Sequence, residues 1–302
     1  MNRSTVRRRV LLSRETLLGA LVVILASALC IGLGLWQFGR YEDRRDSAAI
    51  VDAQYDADPV PLDEVLDSPT TPLASQQQWT PVTLTGSYCD EPACVLHVRN
   101  RQLSGSVGFW ETVPFRTDDG IVLFVVRGWV AEDESTSAPA EPAALPEGEI
   151  TITVRMRPIE PVLDRDPPAR QAHSVNPEQM AELITGAGSD ATAGTLVTGA
   201  FGELAAEQPS GPRPAPLEAP DTSLGPHLSY AFQWWIFALF FPLALVVRTR
   251  KVLQESLEDL EAEHETVETE LTAVRRPRRE VHTSHRGQDE EEEDALIDSF
   301  YR

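Results

Sequence analysis

Few side chains in this sequence have types and spacing suited to chemistry, and the best of them lie where apolar runs begin or end. His227 opens "HLSYAFQWWIFAL" and is followed by Tyr230, Gln233, Trp234 and Trp235. A neutral imidazole is a natural axial ligand for haem iron. If this stretch is helical, Trp234 and Trp235 lie about 10–12 Å below His227, at ~1.5 Å per residue, the depth of a macrocycle edge. The same residues also make an ordinary interfacial belt, with aromatic and polar groups at headgroup level. Both readings stand on these residues alone.

Cys89 and Cys94 flank "DEPA", a stretch able to turn tightly between two strands. In an oxidising compartment a disulfide across that hairpin is the expected chemistry, since two thiols alone make a poor metal site. Cys30 sits inside an apolar run and reads as a small buried hydrophobe. No nucleotide loop, zinc-type Cys/His cluster or nucleophile elbow occurs, and the expectation is a protein that is not an enzyme.

Two uncharged runs must position these groups. Leu17–Phe38 and Leu228–Val247 are 22 and 20 residues long, the second broken only by Ser229, Gln233 and Pro242. Each meets the length of about 20 residues needed to span a bilayer as a helix. The first exceeds the apolar core of a signal peptide and lacks a small-x-small cleavage site, so retention as an anchor is expected. Arg3, Arg7, Arg8, Arg9 and Arg14 precede one run, and Arg248, Arg250 and Lys251 follow the other. Basic flanks stay inside. The expected order in a plasma membrane is therefore a cytoplasmic segment 1–16, spans 17–38 and 228–247, an outer domain 39–227 and a cytoplasmic tail 248–302.

Within the outer domain, "WTPVTLTGSY", "CVLHVRN", "GFWETVPF", "GIVLFVVRGWV" and "EITITVRMRP" are short, rich in β-branched and aromatic residues, and separated by turn formers. That pattern predicts a β-rich α+β domain built on a small antiparallel sheet or barrel. "TDDG" at 117–120 suits a hairpin turn. Residues 41–75 are polar, with a short helical possibility near 62–66, and residues 131–148 read as a flexible insertion. "NPEQMAELI" predicts a helix capped by Asn176, and "TLVTGAFGELA" a further strand. A Pro-rich connector leads to the second span.

In the tail, Leu253, Leu257, Leu260, His264, Val267, Leu271 and Val274 follow a heptad spacing over a helix expected at 251–274. That helix could pair as a coiled coil or stand alone. Beyond it, the six-acid run 289–294 reads as a disordered, solvated end. The net charge of −21 argues against a nucleic-acid partner, because phosphate binding needs a basic surface. Lys251 is the sole lysine among 26 basic residues, which fits GC-rich bacterial coding.

Read in order, "LGLWQFGR", "LTGSY", "VRNRQLSGSVGFWETVPF", "VLFVVRGWV", "VRMRPIEP" and "PHLSYAFQWWIFAL" resemble the SURF1 family of cytochrome c oxidase assembly factors. The resemblance implies a membrane-anchored extracytoplasmic domain that serves maturation of oxidase subunit I, alongside the machinery that makes or inserts haem a. It implies handling of haem a, with His227 toward the iron, Trp234 and Trp235 toward the ring, and Arg40, Arg44 or Arg45 toward the propionates. A guanidinium matches a carboxylate bidentately, although headgroup anchoring explains the same arginines. Arg99, Asn100, Arg101, Gly105 and Gly108 fall in one shared segment, and Arg127, Gly128 and Trp129 in another, where glycines serve turns and close backbone approach. The Cys89/Cys94 pair, the 131–148 insertion and the acidic tail depart from the family pattern. Two rival readings are a scaffold for the nascent oxidase that binds no haem and a two-span sensor with an extracytoplasmic ligand domain.

Overall fold

A computed structural model of the chain describes residues 3–132, 142–190 and 192–275. In chain order the elements are helices α1 (Arg3–Leu11) and α2 (Arg14–Gln54) and strands β1 (Pro81–Tyr88), β2 (Leu96–Leu103), β3 (Ser106–Thr117), β4 (Ile121–Ala131), β5 (Ile150–Pro158) and β6 (Gln171–Ala172). Helix α3 (Pro177–Gly186), β7 (Thr195–Leu196), β8 (Ala200–Gln208) and α4 (His227–Arg275) complete the chain. Internal packing divides it into a barrel unit, Trp36–Tyr230, and a helical unit made of Met1–Leu35 with the segment from Ala231 onward.

Five strands close the barrel. β1 pairs antiparallel with β3 and β5, β5 with β8, and β3 with β4, while β8 returns parallel to β4 through Val125↔Gly202. β2 extends the sheet from β3, and the short β6 and β7 add parallel to β2 and β4. The sheet is thus a closed, mixed one: the barrel expected from the sequence forms, but a parallel pair joins the antiparallel ones. Parallel partners need a long crossover, and the chain between β4 and β8, which includes α3, supplies it.

Alternate side chains fill the barrel, among them Val82, Val113, Phe115, Leu123, Val125, Ile152 and Met156. The other face of β4 presents Phe124 and Val126 to Met180 and Ile184 of α3. β4 is therefore buried on both faces, which explains its unbroken apolar run. α3 starts where its sequence says it should: the Asn176 side chain accepts from Gln179 N at 3.1 Å, and Pro177 occupies the first turn. The 117–120 turn closes with Gly120 N donating to Thr117 O at 3.0 Å, and Gly120 takes the positive φ of +81° that glycine permits.

The long helices overrun the expected boundaries. α2 continues to Gln54, so residues 41–54 are helix rather than loop, and α4 runs from His227 through the tail helix as one element. Residues 40–54 hold no Gly or Pro, and none stands between the second apolar run and Arg275. A helix once formed propagates cheaply through such residues. Near residue 62 only a 3-10 turn forms, Leu62–Glu64. The acidic run 289–294 with the disordered end expected there, and residues 133–141 of the insertion, lie outside the described residues.

In the helical unit, small residues let α2 and α4 approach. Ser27 Oγ donates to Ala238 O at 3.0 Å, and a Cβ on Gly34 would meet Trp235 Nε1 at 2.2 Å. Cys30, between them in sequence, is buried. Leu18, Ile24, Leu25 and Leu29 on α2, with Ile236, Leu239 and Leu243 on α4, stay exposed. Both helices are long and apolar enough to cross a membrane. α1 folds back along α4: Arg3 pairs with Glu261, Val6 and Leu260 are buried, and both line one cleft with Val10 and Val252.

Candidate functional site

His227 is the first residue of α4, at the end of the connector that follows β8. Its ring is half-buried, and Nδ1 lies 3.0 Å from the side-chain oxygen of Gln37 on α2. Arg40 lies three residues after Gln37 and Arg44 four after Arg40, so they share its side of α2. Arg44 approaches Asp221 at 4.0 Å. Asp221 also accepts from Ser223 N and Oγ, bonds that hold its carboxyl below the usual range. The end of the connector thus follows one stripe of α2, with Asp221 near Arg44 and His227 at Gln37.

The three arginines offered to propionates differ. Arg45 is turned to Asp46 at 3.1 Å and Arg44 to Asp221, whereas exposed Arg40 has no ion pair among the described residues. Among those residues Nε2 of His227 likewise has no hydrogen-bond partner, Gln37 being the only one its ring nitrogens make. Trp234 and Trp235 belong to the helical unit. There Trp235 sits against Gly34 and edge-on to Phe232, and Trp234 edge-on to Phe237. From sequence, Gln37 stands with Trp36 and Arg40 in the shared segment "LGLWQFGR", close to where His227 should emerge, but carries no assigned role. Its one signal is an amide near the end of an otherwise apolar run, one turn before Arg40.

The sheet segments that carry the family pattern turn out to hold the fold. Arg127 is fully buried at 1 % exposure and donates to Glu111 Oε1 at 3.0 Å and to the carbonyls of Ala144 and Pro212 at 3.4 and 3.3 Å. The Glu207 carboxylate is 3.8 Å away, and the guanidinium lies 5.3 Å from the Tyr88 ring centre. Burial pushes the Glu111 carboxyl up, against the Ala143 N–H and Arg127, which pull it down. His97 faces Glu111 across 4.0 Å; burial, with Arg170 as a like charge, lowers it to about 4 and keeps it neutral.

These charges fasten the connector. Trp129 exchanges both backbone hydrogen bonds with Ala215, at 2.7 and 3.0 Å, and a Cβ on Gly128 would meet Ala215 O at 2.4 Å. Close approach is therefore what Gly128 permits. Arg101 pairs with Glu160 and stacks 4.1 Å over Trp110, and Arg99 donates to Gln171 at 2.8 Å. Cys89 and Cys94 are joined by a disulfide with Cα atoms 6.1 Å apart, and Cys94 packs in the core beneath α3.

Two helices long and apolar enough to cross a membrane, with a closed five-stranded barrel between them in sequence, suggest a membrane protein that carries a barrel domain. Residues 24–239 match the SURF1 family, and the chain belongs to it. It is 33% identical over 232 residues to uncharacterized SURF1-like proteins of Mycobacterium tuberculosis and Mycobacterium bovis, covering 75% of this chain and 80% of theirs. A SURF1-like protein of Rickettsia felis is 28% identical over 109 residues, 36% of this chain and 45% of that one.

Proposed function

We infer that this protein is a non-enzymatic assembly factor for a haem–copper cytochrome c oxidase, which holds or presents haem a while subunit I matures. The observation that carries the reading is family membership over residues 24–239, a span that contains the barrel, His227 and the core of both long helices. Haem a is cargo here, and the residues suit it. His227 offers an imidazole nitrogen, and Arg40 a guanidinium with no ion pair among the described residues, suited to a propionate. The basic flanks of the two spans support cytoplasmic termini and an extracytoplasmic barrel at the plasma membrane.

The test is the absorption spectrum of the full-length protein purified from cells that make haem a, with subunit I probed in the same preparation. Expected are a haem a spectrum lost in His227→Ala, and co-purified subunit I. Subunit I without haem a reduces the protein to a scaffold, and the absence of both overturns the reading.

A further inference from the structure

We propose that Gln37 is the positioning residue of the site: its side-chain oxygen takes the Nδ1 proton of His227, fixing the tautomer whose Nε2 lone pair is the ligand atom. The proposal rests on the haem reading only for what Nε2 binds. The 3.0 Å contact joins two half-buried side chains from parts of the chain 190 residues apart, so it is a tertiary device. A carboxamide oxygen only accepts, so Nδ1 must donate, and the remaining proton-free nitrogen is Nε2. Histidine ligands are oriented and made more basic when the other ring nitrogen donates to an oxygen. Here the oxygen is neutral, so the Nδ1 proton is shared without being drawn off the ring.

The geometry also accounts for the place of Gln37 in α2. One turn further on is Arg40, with no ion pair among the described residues, so one helix face carries both the His-orienting group and the free cation. A ligand with a metal centre and a carboxylate arm would meet His227 from α4 and Arg40 from α2. The Pro226–His227 start of α4 adds stiffness on the other side, with Pro226 O accepting from Tyr230 N at 3.1 Å.

Two measurements on the detergent-purified full-length chain test this. In haem-free protein, imidazole ¹⁵N shifts, assigned with His227→Ala, report the tautomer directly. The expected result is a protonated Nδ1 in the parent and loss of that preference in Gln37→Leu. A parent ring protonated at Nε2 overturns the proposal, whatever haem does. In the second, ferric haem a is titrated into parent, Gln37→Leu, Gln37→Glu and His227→Ala. Gln37→Leu should weaken binding by about 10–100-fold. Gln37→Glu should retain it and, once the complex is reduced to the five-coordinate ferrous state, raise the iron–histidine stretching frequency, since a carboxylate draws the Nδ1 proton harder. Unchanged affinity and frequency in both Gln37 variants overturn the positioning role. Full binding by His227→Ala, with the parent tautomer as expected, removes the haem ligand reading and leaves the Gln37–His227 device standing.

Discussion

Replacing Arg127 by Met is the sharpest probe of how the barrel supports the site. The guanidinium is wholly buried and meets Glu111 at 3.0 Å, Glu207 at 3.8 Å and the carbonyls of Ala144 and Pro212. Met fills much of the volume but satisfies none of these acceptors. Glu111 keeps only the Ala143 N–H, at 3.2 Å, and Glu207 loses its nearest cation. Removing one partner of a buried ion pair costs about 3–5 kcal/mol, because the surviving charge is left uncompensated. For a unit the size of Trp36–Tyr230, 1 kcal/mol moves the midpoint by ~2–4 °C, so Tm should fall by roughly 6–20 °C. Thermal unfolding of the purified protein, followed by circular dichroism, measures it. Adding Glu111→Gln removes one of the stranded charges, so the double variant should lose less than the sum of the singles, by about 0.5–3 kcal/mol. A loss below ~1 kcal/mol for Arg127→Met, or strict additivity, would refute the idea that this pair is a buried, mutually dependent unit.

Further outcomes follow from the same geometry. His97 is neutral in the fold and protonates near 6.5 when unfolded, so its contribution is present above that pH and fades as pH falls toward about 4. At ~1.4 kcal/mol per unit this amounts to roughly 3 kcal/mol. Glu111 acts oppositely, since a raised carboxyl pKa favours the fold in acid, so the quantity to measure is parent minus His97→Gln; a difference flat from pH 7 to 4 contradicts the assignment. Gly34→Leu must displace Trp235, because even a Cβ would lie 2.2 Å from its Nε1. Cross-linking of Ser27→Cys to Ala238→Cys in a Cys30→Ser background should then drop, and undiminished cross-linking would show that the two helices do not meet there. The Cys89–Cys94 bridge closes a short loop and should stabilise by less than the ~3 kcal/mol expected for 15 residues. Free thiols at both positions in protein blocked inside intact cells would exclude it.

The strands were legible because β-branched and aromatic content and turn formers are local: β1 to β5 fall on the five segments that show them, and Asn176 announces α3. Their pairing was less so. The parallel contact of β8 with β4 depends on a crossover and on which sheet edge is open, and neither leaves a mark on "AFGELAAEQ". How far the long helices continue past the apolar runs was not legible for a related reason. Charge marks where an apolar run stops, yet "YEDRRDSAAIVDAQ" is as helix-competent as the run before it, so α2 passes through that change without a break. Gln37 was invisible as a partner of His227 because a single hydrogen bond across 190 residues has no periodicity.

That gap changes how the shared arginines are to be understood. Arg99, Arg101 and Arg127 lie in the shared motif segments, and a guanidinium there could in principle meet an anion. Each already has a partner: Gln171, Glu160, and Glu111 with two carbonyls. Turning any of them to a propionate would strand a buried or half-buried acceptor, at a cost of ~1–3 kcal/mol per group. Their effect on the site is carried by the backbone instead. Arg127 and Trp129 hold Pro212 and Ala215, and twelve residues after Ala215 the connector delivers His227 to Gln37. His227 is thereby tethered through the connector to the barrel and, directly, to α2. Arg40, on α2, makes no ion pair among the described residues. A substitution at Arg127 should accordingly loosen His227 without touching it, whereas one at Arg40 should leave the fold alone.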